Sequence, residues 1–96
     1  MEIIKKSQSG SFESSDIIIL IEPVAPNSGR NIDIDSSVML EYGATIKKLI
    51  NSKLDSYNIS DIHLIAKDKG ALELTINARL ETAIKRACNI QKATMA

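Results

Sequence analysis

The chain has 96 residues, with 12 Lys or Arg against 12 Asp or Glu and a formal net charge of zero at pH 7. That length supplies one domain, residues 1–96, with a modest core. The balanced charge argues against nucleic acid or an anionic membrane as a partner, because both demand a basic surface.

The longest apolar run, Ile17 to Ile21, is far short of the roughly 20 residues that span a bilayer. No apolar segment follows the charges at the N-terminus, so no secretory signal is expected. A single cysteine, Cys88, leaves no internal disulfide framework and suits a reducing compartment. A cytoplasmic protein is expected. One Phe, two Tyr and no Trp imply an aliphatic core without an aromatic platform for bases.

In chain order, Met1 to Ser9 is a mixed arm without periodicity, expected to be flexible. Ser9-Gly10-Ser11-Phe12-Glu13-Ser14-Ser15-Asp16 follows, polar and rich in serine. It reads as an exposed loop, with a short strand at Gly10 to Glu13 as an option. Ile17 to Ile21 is β-branched and apolar on both faces, the pattern of a central strand. Glu22-Pro23 ends it, because proline cannot donate to a sheet ladder. Val24 to Arg30 carries Pro26, Asn27, Ser28 and Gly29, a surface loop. Asn31 to Asp35 alternates with period two and predicts a half-buried strand.

Ser36 and Ser37 stand where a helix begins. Val38, Tyr42, Ile46, Leu49, Ile50 and Leu54 recur at helical spacing, and the helix should stop before Ser56-Tyr57-Asn58. Gly43 interrupts it at a cost of about 1 kcal/mol relative to alanine. Asp61 to Lys67 and Ala71 to Ile76 both alternate, and Asp68-Lys69-Gly70 between them reads as a hairpin turn. Leu80, Ala83, Ile84 and Ala87 predict a second helix, with Asn77 as its cap. The tail from Asn89 to Ala96 is expected to fray. Together these elements predict an α+β fold: a two-layer sandwich with a mostly antiparallel sheet of four to five strands and two helices.

Few residues carry chemistry. His63 is alone, on the sheet face opposite Ile62, Leu64 and Ala66, and belongs to a solvated face with Asp61 and Lys67. No second histidine or cysteine completes a metal site around it. Cys88 reads as a small buried helix residue. No glycine-rich phosphate loop or nucleophile-base pair is present. On composition alone, the serine-rich stretch is a solvated turn whose hydroxyls a modifying enzyme can reach, without telling which serine is used.

Three blocks add a family resemblance. Gly10-Ser11-Phe12-Glu13-Ser14-Ser15-Asp16 is similar to the Gly-Thr-Leu-Glu-Ser-x-Asp pattern of the citrate lyase acyl carrier protein, the gamma subunit. Ser36-Ser37-Val38 with Glu41-Tyr42-Gly43 resembles its Ser-Ser-Val…Gln-Phe-Gly block. Asp68-Lys69-Gly70-Ala71-Leu72-Glu73, continuing to Ala78-Arg79-Leu80-Glu81, resembles its Asp-Lys-Gly-Ala-Leu-Asp and Ala-Arg segments. Ser11, Phe12, Tyr42, Glu73 and Leu74 depart from the pattern mildly, and none of them is the serine itself.

The resemblance implies a non-catalytic subunit in which Ser14 carries a covalent phosphoribosyl-dephospho-coenzyme A group. The thiol of that group holds an acetyl or citryl thioester. It implies three partners: the CoA-transferase (alpha) and citryl lyase (beta) subunits, and the transferase that attaches the group. Glu13 and Asp16, flanking Ser14, are candidates for orienting the arm or docking a partner, with ordinary solvation as the alternative. Asp35-Ser36-Ser37-Val38 is a near miss for the phosphopantetheine site of common acyl carriers. Those are four-helix bundles, however, and a helix cap accounts better for these serines. Two other functions stay open: the carrier subunit of malonate decarboxylase, with the same kind of arm, and a non-carrier interaction or regulatory domain.

Overall fold

A computed structural model describes residues 2–36 and 40–88. The elements are strands β1 (Ser7–Gly10), β2 (Ile17–Glu22) and β3 (Arg30–Ser36), helix α1 (Leu40–Ser56), strand β4 (Ile62–Asp68) and helix α2 (Glu73–Cys88). The strands form one mixed sheet in the order β1-β2-β4-β3. β1 and β4 pair antiparallel with β2, and β3 pairs parallel with β4. The parallel pair follows from connectivity: α1 carries the chain back to the starting end of the sheet between the two strands.

Both helices cover one face. Ile17, Ile19 and Ile21 of β2 and Ile62, Leu64 and Ala66 of β4 point into a core shared with Ile46, Ile50 and Leu54 of α1 and Ile76, Leu80, Ala83, Ile84 and Ala87 of α2. Every apolar position predicted for that side of α2 is buried. The expected α+β sandwich is therefore present, with two of its three strand pairings antiparallel.

The expected hairpin after β4 does not form. Lys69 to Leu72 is a connection and the chain is helical from Glu73. Alternation over Ala71 to Ile76 misleads because Leu72 and Leu74 are both solvent-exposed, at 74% and 82%. The burial period from Ile76 onward is that of a helix. There is also no free edge for another strand at β4, which already has β2 on one side and β3 on the other. Asn77 consequently lies inside α2 and caps nothing. The Leu72 carbonyl accepts the first helical hydrogen bond, from Ile76 N at 2.9 Å.

The N-terminal segment also differs from the expected arm. Ile3 is in the core, and the amides of Ile4 and Lys5 both donate to the Ala87 carbonyl, at 3.0 and 3.3 Å. The strand expected at Gly10 to Glu13 ends at Gly10 and begins at Ser7. Ser7 Oγ donates to the Ala83 carbonyl of α2 at 2.7 Å. Ser36 is the last residue of β3 rather than a helix start; Ser37, Val38 and the tail from Asn89 lie outside the described residues.

His63 projects from the uncovered sheet face, which Lys67 shares, and its polar partners come from the two neighbouring strands. Nδ1 lies 3.0 Å from Glu22 Oε1 on β2 and Nε2 lies 3.1 Å from Asp33 Oδ2 on β3. Both ring nitrogens thus face carboxylates, an arrangement that only the doubly protonated ring satisfies fully. The hydrogen bond to Asp33, helped by that to Glu22, raises its pKa above the ordinary 6.5 although burial works against it.

Two glycines have opposite roles. Gly10 has φ +96°, and a Cβ there lands 1.7 Å from the Ile17 carbonyl oxygen across the hairpin. At Gly43, within α1, a Cβ meets nothing within 4 Å, so no close neighbour demands glycine there. Gly10→Ala is expected to lose about 2 kcal/mol or more in urea unfolding. Gly43→Ala is expected to gain roughly 0.5–1 kcal/mol. The His63 contribution is fully present below its unfolded pKa, about 6.5, and is lost as pH rises through the higher folded value. Thermal scans should therefore show the melting temperature falling over that interval, and His63→Gln should remove that component of the fall.

Candidate functional site

The β1–β2 hairpin ends in a loop, residues 11–16, that is built around one inward-facing carboxylate. Asp16 is 8% exposed. Its Oδ2 accepts from Ser11 Oγ at 2.6 Å and its Oδ1 from the Ile17 amide at 2.7 Å. Arg79 of α2 grips it with two donors, Nε to Oδ1 and Nη2 to Oδ2, each at 3.1 Å. The Ser11 hydroxyl, then the arginine, hold the Asp16 pKa at about 2. A two-pronged guanidinium–carboxylate pair fixes orientation as well as charge, so the loop is tied to the helix layer.

Backbone hydrogen bonds finish the frame. The Asp16 amide donates to the Glu13 carbonyl at 3.2 Å, closing a turn over Glu13-Ser14-Ser15-Asp16. Ser15 has φ +65°, the left-handed region that a third turn residue of this kind requires. It is held there by its amide, which donates to the Lys69 carbonyl at 2.8 Å, while the Lys69 amide returns a bond to the Asp16 carbonyl at 2.9 Å. The Asp68-Lys69-Gly70 connection therefore buttresses the serine loop from below. Asp68, 1% exposed, accepts from Ser36 Oγ at 3.0 Å and from the Ala71 amide at 2.9 Å, which fixes that connection in turn.

The four serines of this stretch now separate. Ser9 is buried at 6% in β1. Ser11 is spent on Asp16. Ser14 and Ser15 are exposed, and Ser14 sits at the outer corner of the turn. Among the described residues no hydrogen bond engages the Ser14 hydroxyl. Glu13 is exposed beside it, whereas the Asp16 carboxylate points away from solvent. Phe12 lies on the same loop, 67% exposed. Phe12, Asp35, Lys67, Asp68 and Lys69 line a cavity of about 200 Å³ at this end of the sheet.

Cys88 is buried, and burial pushes its thiol pKa up, which keeps it protonated. Among the described residues there is no group of three or more His, Cys, Asp or Glu suited to a metal ion. No helix among them is long and apolar enough to cross a membrane. Sequence reasoning missed Arg79 and Lys69 as supports of the loop. Both lie within blocks that carried the resemblance, but nothing in their spacing points 63 residues back to Asp16.

Comparison with known proteins gives concordant matches. The model of the malonate decarboxylase delta subunit (MdcD) family matches residues 4–87. A citrate lyase acyl carrier protein of Treponema denticola is 39% identical over 91% of this chain and 97% of its own length. One from Lactiplantibacillus plantarum is 42% identical over 91% of this chain and 88% of its own. The chain belongs to the citrate lyase acyl carrier protein family. A chain of a Pseudomonas malonate decarboxylase hetero-tetramer, determined with malonate, superposes with a TM-score of 0.74 over 91% of this chain and 88% of that one. At 20% identity that likeness establishes the fold alone.

The Asp16 clamp makes an acid-sensitive prediction. Because the folded pKa is lowered, from 3.8 to about 2, its contribution is present above about pH 4 and is lost as pH falls through about 2. Asp16→Asn should cost about 1–3 kcal/mol at neutral pH in urea unfolding, and should flatten the stability loss in that acid window. Arg79→Gln should cost less, because Ser11 and the Ile17 amide still hold the carboxylate.

Proposed function

We propose that this chain is the acyl carrier subunit of a citrate lyase and that Ser14 is its point of attachment. The reading rests chiefly on one observation: the unengaged Ser14 hydroxyl at the corner of an exposed, rigidly anchored turn, within a chain of this family. An attaching enzyme needs a hydroxyl that it can approach from outside, on a backbone that does not recoil. Ser9 and Ser11 fail the first requirement, since one is buried and the other is committed to Asp16. Ser15 is the only other exposed hydroxyl of the stretch, and its backbone is the pinned left-handed corner.

The prosthetic group is phosphoribosyl-dephospho-coenzyme A, joined through its ribosyl phosphate to the Ser14 oxygen. When bound it supplies a thiol that holds acetyl or citryl as a thioester, so the reactive chemistry belongs to the cofactor. The chain's own residues hold the root of the arm. Ser11, Asp16 and Arg79 fix the turn, and Lys69 fixes it from beneath through backbone bonds. Asp16 therefore orients the arm through the loop, not by repelling it through solvent. Glu13, exposed beside Ser14, is the carboxylate available for docking. The tether keeps the acyl group at high effective concentration for each partner in turn. Those partners are the CoA-transferase and citryl lyase subunits, in the cytoplasm, with cleavage of citrate to acetate and oxaloacetate as the outcome.

A second reading, the carrier of a malonate decarboxylase, is favoured by the family description and by the solved structure of similar fold. The higher identities, however, are to citrate lyase carriers. Coexpression with the attaching enzymes and intact-mass measurement should give one mass increment that is absent in Ser14→Ala; an increment surviving in that variant moves the site elsewhere. Protein loaded in its native complex should take up citryl from citrate, whereas malonyl taken up from malonate would select the second reading.

A further inference from the structure

We infer that the cavity lined by Phe12, Asp35, Lys67, Asp68 and Lys69 is a resting site on the carrier itself for the adenosine diphosphate-like part of its own prosthetic arm. The inference rests on the reading of Ser14 for the identity of the ligand, but the cavity can be tested without it. The site lies beside the point of attachment. Phe12 is two residues from Ser14, so their Cα atoms are at most about 7 Å apart. Lys69 is hydrogen-bonded through its backbone to Ser15 and Asp16. An arm rooted at Ser14 therefore starts at the rim.

The lining matches a nucleotide in kind. Phe12 is the one phenylalanine of the chain, and 67% of it is left in water at the mouth. A ring presented in this way is free to stack on a base, and base–aromatic stacking tolerates any base. The lysines supply cations for phosphate oxygens. Lys67 stands opposite Asp35 in the β3–β4 register, which offsets part of its charge. Among the described residues no carboxylate pairs with Lys69, which is exposed. Asp68 lines the floor but faces Ser36 and the Ala71 amide, so its carboxylate is already engaged. The exposed lining thus has two ammonium groups against one carboxylate, Asp35, with Glu13 exposed on the adjoining loop. Composition alone pointed to no aromatic platform, and here one ring suffices because the tether supplies a high local concentration of ligand.

Such a site biases where the thiol spends its time. With the adenosine end settled against Phe12, only the pantetheine part sweeps outward, and the reach of the thioester is shortened and directed.

The test uses free dephospho-coenzyme A added to unmodified full-length protein, followed by amide NMR spectra. Shift changes at Phe12, Lys67, Asp68 and Lys69 should appear together and saturate at millimolar ligand. Phe12→Ala, an exposed position that the fold does not need, should weaken binding at least about fivefold, the lower end of base–aromatic stacking. Lys69→Gln should weaken dephospho-coenzyme A while leaving adenosine unaffected. No shifts at these residues, or shifts indifferent to Phe12→Ala, overturn the resting site whatever Ser14 carries. In loaded protein, verified by intact mass and peptide mapping, the adenine protons should show nuclear Overhauser contacts to the Phe12 ring. Their absence there also overturns it. Binding of the free ligand by a chain bare at Ser14 after coexpression instead refutes the attachment.

Discussion

The site depends on a buried charge being answered from another layer. Asp16 lies between the exposed loop and the first residue of the central strand, where an unpaired carboxylate would be costly. Arg79 comes from α2, a distant part of the chain, to neutralise it, and Ser11 fills the remaining lone pair. The turn at Ser14 is consequently not an independent loop. It is held by helix, strand and the Asp68-Lys69-Gly70 connection at once, and it stays formed as long as the two layers stay packed.

This arrangement suits a small scaffold of an acyl carrier family. Side chains that could react are withdrawn or committed: Cys88 is buried, His63 is shared between two carboxylates, and Ser11 is bonded. The groups that remain outward at the serine end include Phe12, Glu13, Ser14, Ser15, Lys67 and Lys69. The proposed attachment accordingly rests on the geometry of one loop rather than on a constellation of catalytic groups.

Much of this was legible in the sequence where periodicity had a single interpretation. The β-branched run of β2, the alternation of β3 and β4 and the 3–4 spacing in α1 and in the later turns of α2 all report burial that the core realises. Two places misled for identifiable reasons. β1 is Ser-Gln-Ser-Gly, with no propensity to announce it; its strand form comes from pairing with β2 and from the Ser7 bond to α2. The first residues of α2 alternate by coincidence, since the leucines at 72 and 74 are solvated. At the site, the resemblance pointed to Ser14 and its two flanking carboxylates. That one of them turns inward could not be read, because its partner, Arg79, is local only in the folded chain.

The two borders of the sheet have a further consequence. β1 is a four-residue strand cut short by Gly10, and Arg86 occupies its Gln8 carbonyl at 2.9 Å. β3, at the other border, turns Asn31, Asp33 and Asp35 to solvent in alternation. A second copy approaching either rim meets a truncated ladder or a polar border that carries two carboxylates, the kind of device by which natural sheets resist edge-to-edge polymerisation. A chain with borders of this kind can be concentrated without its strands recruiting one another into fibres.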